Sequence, residues 1–193
     1  AGALGALGRA AEAYDLLLPL GRWARESASA ALRHLWHGYW AMTLDNLGRL
    51  REALLAMEDS INHAGAGDLP LGELGMHASN VAVLYNKMGR SAQAVEASER
   101  AVRLLREDPQ AKGLPLLATL TLARHLAEDA RYAEAVALFE EVLGPIEASG
   151  AHTWVVVGQT WLATLWLRVG QPARAAQLLA RVDGDMPASV RGA

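Results

Sequence analysis

The 193-residue chain contains no cysteine, which excludes disulfides, thiol nucleophiles and thiolate metal sites. No apolar run approaches the ~20 uncharged residues that a membrane-spanning helix requires, and no secretory signal pattern is present. The reading is a cytoplasmic protein without a membrane partner. Lysine is almost missing: of 18 basic residues only Lys87 and Lys112 are lysine. With abundant alanine and glycine, this points to a GC-rich bacterial gene. A net charge of −3 advertises no basic surface, so direct contact with nucleic acid is not expected.

Catalytic patterns are missing as well. Gly89-Arg90-Ser91 lacks the glycine spacing and the lysine of a phosphate-binding loop. Neither a nucleophile elbow nor a zinc-protease pattern occurs. His34 and His37 are two potential ligands without a third close by, too few for a metal. Glu107-Asp108 and Glu140-Glu141 are sequence neighbours whose side chains diverge on a helix. The expectation is a non-catalytic chain with no cofactor and no metal.

What is present is a period. Apolar residues make up 52% and charged residues 20%, a composition that folds. A turn signature recurs at Gly8-Arg9, Gly48-Arg49, Gly89-Arg90, Ala130-Arg131 and Gly170-Gln171, in steps of 40, 41, 41 and 40 residues. Five positions after each turn residue stands Ala13, Ala53, Ala94, Ala135 or Ala175. Seven before it stands Ala41, Ala82, Ala123 or Ala163. Small residues at these points let two helices of a hairpin approach until ridges enter grooves. Larger residues flank the crossing: Leu44, Tyr85, Leu126 and Trp166 before the turn, and Leu17, Met57, Phe139 and Leu179 after it, with Ser98 the exception. Residues 77–106 show the unit best. Two apolar faces at helical spacing meet at Met88-Gly89-Arg90-Ser91, where Gly89 ends one helix and Ser91 is expected to cap the next.

The pairs Ala41/Ala53, Ala82/Ala94, Ala123/Ala135 and Ala163/Ala175 are each separated by 12 residues. This resembles the tetratricopeptide (TPR) repeat, whose small residues lie at its eighth and twentieth positions. The period of 40–41 exceeds the ~34 of the standard repeat, and its terminal proline is matched only loosely, by Pro70 and Pro109. Long repeats of this kind are similar to those of kinesin light chains and of bacterial activators like the maltose-regulon activator. The resemblance implies an all-α fold, a right-handed superhelix of antiparallel hairpins. It covers residues 1–193 as a single domain of roughly four and a half repeats, with turns near 8, 48, 89, 130 and 170. The register predicts nine substantial helices and a partial helix at each end. Residues 1–7 read as the end of a first helix, with Ala1 at the small position and Leu4 at the large one. Asp183–Ala188 reads as a turn leading into another helix, and His63–Gly75 as the longest connector. The expectation is a segment of a longer array whose open ends could pair with another copy.

In stacked hairpins the first helix of each pair lines the concave side. Nine positions before each turn lie Tyr39, Asn80, Thr121 and Trp161; six before lie Met42, Val83, Arg124 and Thr164. Nearer the turns are Asp45-Asn46, Asn86-Lys87, Ala127-Glu128 and Leu167-Arg168. The expected binding groove is therefore Tyr39, Asp45, Asn46, Asn80, Asn86, Lys87, Arg124, Glu128, Trp161 and Arg168. An asparagine at the Asn80 position resembles the clamp that peptide-binding repeats place on ligand backbone, and an amide can both donate and accept. Arg124 offers a fixed fork for a carboxylate. Trp40 and Trp166 fall at packing positions and are read as structural. The chain thus reads as a protein-, peptide- or effector-binding module, the sensor segment of a larger bacterial signalling or transcriptional regulator. The alternative is an assembly module mediating self-association.

Overall fold

The structure, a computed structural model, describes residues 8–26, 29–64 and 69–185. It contains α1 (Ala10–Leu17), α2 (Leu20–Glu26), α3 (Ala30–Asn46), α4 (Leu50–Ala64), α5 (Leu71–Lys87), α6 (Ser91–Glu107), α7 (Leu114–Glu128), α8 (Tyr132–Ala148), α9 (His152–Arg168) and α10 (Pro172–Asp185). No strand occurs among the described residues. Contacts divide the chain at Asp108/Pro109 into two compact units, unit one carrying α1–α6 and unit two α7–α10.

Every predicted turn is present. Gly8, Gly48, Gly89 and Gly170 have φ of +71°, +75°, +71° and +73°, and Ala130 joins them at +60°. The hydrogen bonds repeat too: Arg49 N–H to Leu44 O, Arg90 N–H to Tyr85 O, Arg131 N–H to Leu126 O, and Gln171 N–H to Trp166 O, all 2.8–2.9 Å. These six-residue closures are Schellman caps, which satisfy the last carbonyls of the first helix while the left-handed residue redirects the chain. The residue after the turn then caps the second helix. Arg9, Arg49 and Arg131 hold that position, and each lays its guanidinium across the Glu three residues on, Nε to Oε1 at 2.6, 2.7 and 2.8 Å. The cap expected of Ser91 is therefore misplaced by one: Ser91 is the first helical residue and Arg90 occupies the cap position.

Ala130 adopts a backbone that costs an L-residue with a Cβ roughly 1–2 kcal/mol. At Gly48, Gly89 and Gly170 an added Cβ would meet nothing within 4 Å, so backbone strain alone distinguishes the two residue types there. Ala130→Gly should therefore stabilise the protein by about 1 kcal/mol, the strain relieved exceeding the unfolded-state entropy added. A higher urea midpoint at unchanged slope is the expected result; a lower midpoint contradicts it.

The alanine crossings are closed. Ala13, Ala53, Ala82, Ala94, Ala123 and Ala135 have no exposure, and Ala41, Ala163 and Ala175 are 1–2% exposed. In unit one, Ala41, Leu44, Ala53, Met57 and Leu84 form a core against which Tyr14, Trp40 and Tyr85 pack. Trp40 lies between Tyr14 (centroids 4.8 Å apart) and Trp36 (5.5 Å, 14° between planes). Arg49 covers the Tyr14 ring at 5.2 Å, and Trp36 Nε1–H donates to Leu17 O at 3.2 Å. Trp40 is structural, as is Trp166, which is buried in unit two under Arg174.

The structure departs from the register in three places. Ten helices are described where nine were expected, because the second helix of the first copy is broken into α1 and α2 around Pro19. Proline has no N–H to return to the carbonyl four residues earlier, and its ring crowds that carbonyl. The connector expected over His63–Gly75 is shorter: α4 runs to Ala64 and α5 begins at Leu71. Gly75 is a packing residue, since a Cβ there would come within 2.6 Å of Leu105 Cγ and 3.3 Å of Ala101 O on α6. Asp108 Oδ2 accepts from Gly72 N–H at 2.7 Å, satisfying a free donor in the first turn of α5. Finally, α10 continues through Gly184 to Asp185, so no turn begins at Asp183. The expectations for residues 1–7 and 186–188 lie outside the described residues.

Candidate functional site

The first helix of each hairpin presents an open face. In unit one that face is built by α3 and α5. Tyr39 is 44% exposed, and Asn80 is exposed on α5 at the same distance from its turn. Met42, one turn along α3, is also exposed, and Val83 on α5 is half-buried. Toward the turns, Lys87 Nζ donates to both carboxylate oxygens of Asp45 at 2.7 Å. Asn46 is exposed and Asn86 half-buried beside them. Asp45 and Lys87, both expected as ligand-binding groups, therefore engage each other between α3 and α5. An exposed pair of this kind contributes ~0–1 kcal/mol to stability, so its effect is chiefly to fix where the two charges sit.

In unit two, α7, α8 and α9 line a cavity of about 150 Å³. Arg124 on α7 is half-buried, its guanidinium carbon 4.9 Å from the centre of the Trp161 ring on α9. Glu128 and Arg168 line it as well, one turn or more further along the same two helices, Arg168 Nη1–H donating to Glu128 Oε2 at 3.1 Å. Phe139 from α8, fully buried, closes the floor with Leu165 and Ala127, and Thr164 completes the rim. Two guanidinium groups and one carboxylate make the ionised lining, a balance of one positive charge. His125, next to Arg124 on α7, is fully buried. Its pKa is lowered to about 4, chiefly because burial penalises the charged form, then by the positive charge of Arg124; Glu128 opposes both.

All ten sequence-predicted groove residues lie on first helices. Unit one brings together Asp45 with Lys87; unit two brings together Arg124 with Trp161 and Glu128 with Arg168. Reading first helices alone overlooked Phe139, which belongs to a second helix. Its signal was present in the packing position nine residues after the Ala130 turn, but a floor is contributed from below the face being read.

A second polar cluster in unit one calls for a chemical judgement. Ser60 Oγ lies 2.8 Å from His34 Nδ1, and His34 Nε2 is 3.7 Å from Glu73 Oε2. The order serine, histidine, carboxylate is that of a nucleophilic triad. Ser60, however, is fully buried, and its hydroxyl also reaches His34 O at 3.2 Å, so no substrate carbonyl can approach it. His77 Nε2 meets Met57 O at 2.6 Å, and its pKa is lowered mainly by burial. These groups tie α3, α4 and α5 together. His37, the other half of the histidine pair read from sequence, is buried edge-on against Trp36. Among the described residues no three His, Asp or Glu side chains gather as a metal site requires. No described helix is long and apolar enough to cross a membrane.

No protein-family model matches the chain, and no curated protein sequence matches it. Solved structures do. The nearly identical TPR-like repeats of a Podosopora anserina protein assigned as a kinesin light chain superpose with a TM-score of 0.74 at 23% identity, over 94% of this chain and 89% of that one. BtubC (BKLC) from P. vanneervenii gives 0.76 at 15% identity, over 98% and 81%. The apo form of RapI gives 0.67 at 14% identity, over 86% of this chain and 46% of that one. The chain is thus an all-helical array of hairpin repeats, similar in fold to TPR-like solenoid proteins.

Proposed function

We propose that the chain is a non-catalytic module that binds a protein or peptide segment, or a small effector, on the open faces of its first helices. In the same reading it is a segment of a larger bacterial signalling or transcriptional regulator working in the cytoplasm. The observation that carries the binding reading is the unit-two cavity. Tryptophan and arginine are the residue types most often dominant at interaction surfaces, and here Arg124 lies over the Trp161 ring in a cavity that also holds an Arg168–Glu128 ion pair and apolar side chains. Holding them ordered before binding lowers the entropy lost when a partner arrives. Tyr39 and Asn80 supply the corresponding groups in unit one, an exposed aromatic and an open amide.

A random-peptide library displayed on phage and selected against the chain tests this. Selected peptides should lose roughly tenfold or more in affinity, as expected for binding-energy hot spots, on Asn80→Ala or Arg124→Ala. The unfolding midpoint should move little, because neither side chain fills the core. Peptides that bind equally well to both variants would place recognition elsewhere.

The assembly reading has its own support. Leu16, Leu18, Leu20 and Trp23 stand 48–59% exposed around the Pro19 break in unit one. Apolar exposure of this kind marks an interaction surface. Trp23→Glu should leave the molar mass by light scattering unchanged if this surface does not mediate self-association, and should reduce it to that of the monomer if it does.

A further inference from the structure

A second cavity of unit two, about 330 Å³ in volume, is lined by Glu140 of α8, Leu162 and Trp166 of α9, and Arg174, Gln177 and Leu178 of α10. None of these six residues lines the cavity that holds Arg124, so the two are separate. The turn register explains the charges it carries. In three copies the arginine after the turn is tied to a glutamate three residues on: Arg9 to Glu12, Arg49 to Glu52 and Arg131 to Glu134. The α10 hairpin has Gln171 at the first of these positions and Arg174 at the second. Arg174 instead lies over the Trp166 ring, its guanidinium carbon 4.7 Å from the centre. Stacking on an indole holds the guanidinium by its face and leaves its edge donors in the plane. Among the described residues Arg174 has no ion pair, and neither has Glu140. Two opposite charges thus line one cavity without pairing with each other. The positions eight and four before the turn, and four, seven and eight after it, also line a cavity of about 260 Å³ in unit one, as Trp40, Leu44, Glu52, Leu55 and Ala56. There the position of Arg174 is Glu52, already engaged by Arg49, and no described arginine or lysine is in the lining.

We propose that the Arg174 cavity binds a free α-amino acid with an apolar side chain, Arg174 taking its carboxylate and Glu140 its ammonium group. A guanidinium edge offers a carboxylate two parallel N–H donors. An ammonium has donors and no acceptor, which is what the Glu140 carboxylate can satisfy. Gln177, one helical turn after Arg174, adds an amide able to serve either group. The lining balances at zero charge. A ligand with one charge of each sign therefore matches both residues, whereas a simple anion or cation matches one. Leu162, Trp166 and Leu178 supply apolar surface for the ligand side chain. The volume lies at the low end of the range for small-molecule sites, which suits a single amino acid. Glu140 and Arg174 are exposed, so water screens both ion pairs and the affinity is on the order of millimolar. This site uses none of the groove residues of the first helices and does not depend on the binding reading above.

The test titrates the whole chain with three compounds: L-leucine, leucinamide, which lacks the carboxylate, and 4-methylpentanoate, which lacks the ammonium group. It is run at about pH 6.5, where an α-amino group is protonated. The reporter is the ¹⁵N-resolved indole N–H signal of Trp166, identified by its disappearance in Trp166→Phe. L-leucine should shift this signal saturably, and each analogue should bind about tenfold more weakly, the order of one charge-assisted hydrogen bond. Two variants give a crossed result. Arg174→Gln should weaken L-leucine about tenfold and leave leucinamide unchanged. Glu140→Gln should weaken L-leucine to the same degree and leave 4-methylpentanoate unchanged. Neither should move the unfolding midpoint appreciably, because both side chains are exposed. Equal binding of the three compounds, no saturable shift by L-leucine up to its solubility limit, or an L-leucine affinity indifferent to both variants overturns the assignment. Library-selected peptides that depend on Asn80 or Arg124 report on the first-helix face alone, so the two readings fail separately.

Discussion

Phe139→Ala should lower the unfolding free energy of unit two by about 3–5 kcal/mol, the range for removing a large aromatic side chain from a packed interior. Phe139 has no exposure and is the largest of the fully buried side chains among the described residues. It sits at the packing position after the turn that Leu17 and Met57 hold in other copies, so its ring fills the space around the Ala123/Ala135 crossing. Truncation leaves a void in a part of unit two where Ala123, Leu126 and Ala135 are also buried. Rigid helices cannot collapse fully into such a void, and the cavity adds to the lost transfer energy. The same substitution removes the floor of the Arg124 cavity. Urea unfolding followed by tryptophan fluorescence gives the loss directly. A decrease under 1 kcal/mol would show that the crossing is loosely packed. Phe139→Leu, which retains most of the volume, should recover most of the stability and shows whether volume or aromaticity matters.

The parts of this fold legible in the sequence are those set by local geometry and repetition. A left-handed residue every 40–41 positions, with a small residue at −7 and +5, specifies a hairpin and its crossing without knowledge of neighbours. Gly89, Ala82 and Ala94 would read the same way in any copy. Ala130 stands out as the position where the pattern persists despite a residue unsuited to it. The misreadings share a cause. Gly72 and Gly75 resemble loop residues in sequence, but Gly75 is small because Leu105 and the Ala101 carbonyl press against α5, which only the folded hairpin reveals. Pro19 sits within an otherwise continuous register and its effect on α1 and α2 was masked by that register. The candidate site was legible only in part. Register placed Tyr39, Asn80, Arg124 and Trp161 on first helices. It could not show that Asp45 spends its charge on Lys87, 42 residues away, or Glu128 on Arg168, 40 residues away, because side-chain pairing depends on the offset between neighbouring hairpins. Ser98, the one small residue among the large packing positions, is nevertheless 2% exposed; its copy closes its core by the α5–α6 approach at Gly75.

Acidification should destabilise unit two through His125 well before its carboxylates are neutralised. The ring is fully buried on α7 and its pKa falls to about 4 from the ordinary imidazole value of 6.5, first through burial and then through the adjacent Arg124. The folded protein therefore holds this imidazole neutral at pH values where the unfolded chain protonates it. Above about pH 6.5 both states are neutral and the group has no effect on stability with pH. As pH falls from 6.5 toward 4 the unfolded state gains a proton that the folded state refuses, and stability declines. At about 1.4 kcal/mol per pH unit, the loss approaches ~3 kcal/mol by pH 4, below which both states are protonated and the slope disappears. His77 adds a decline of the same sign in unit one, its pKa being lowered chiefly by burial. His125→Gln isolates the unit-two contribution, because glutamine keeps a polar side chain of similar reach but does not titrate. The variant should be less stable than wild type at pH 7.5, and the two stabilities should converge as pH approaches 4. Parallel curves from pH 7.5 to 4 would mean that the buried ring titrates normally. Arg124→Gln provides the control that links this behaviour to the site: with the neighbouring positive charge removed, the decline should become shallower and be complete at a higher pH. Burial, the larger cause, remains, so the decline should persist.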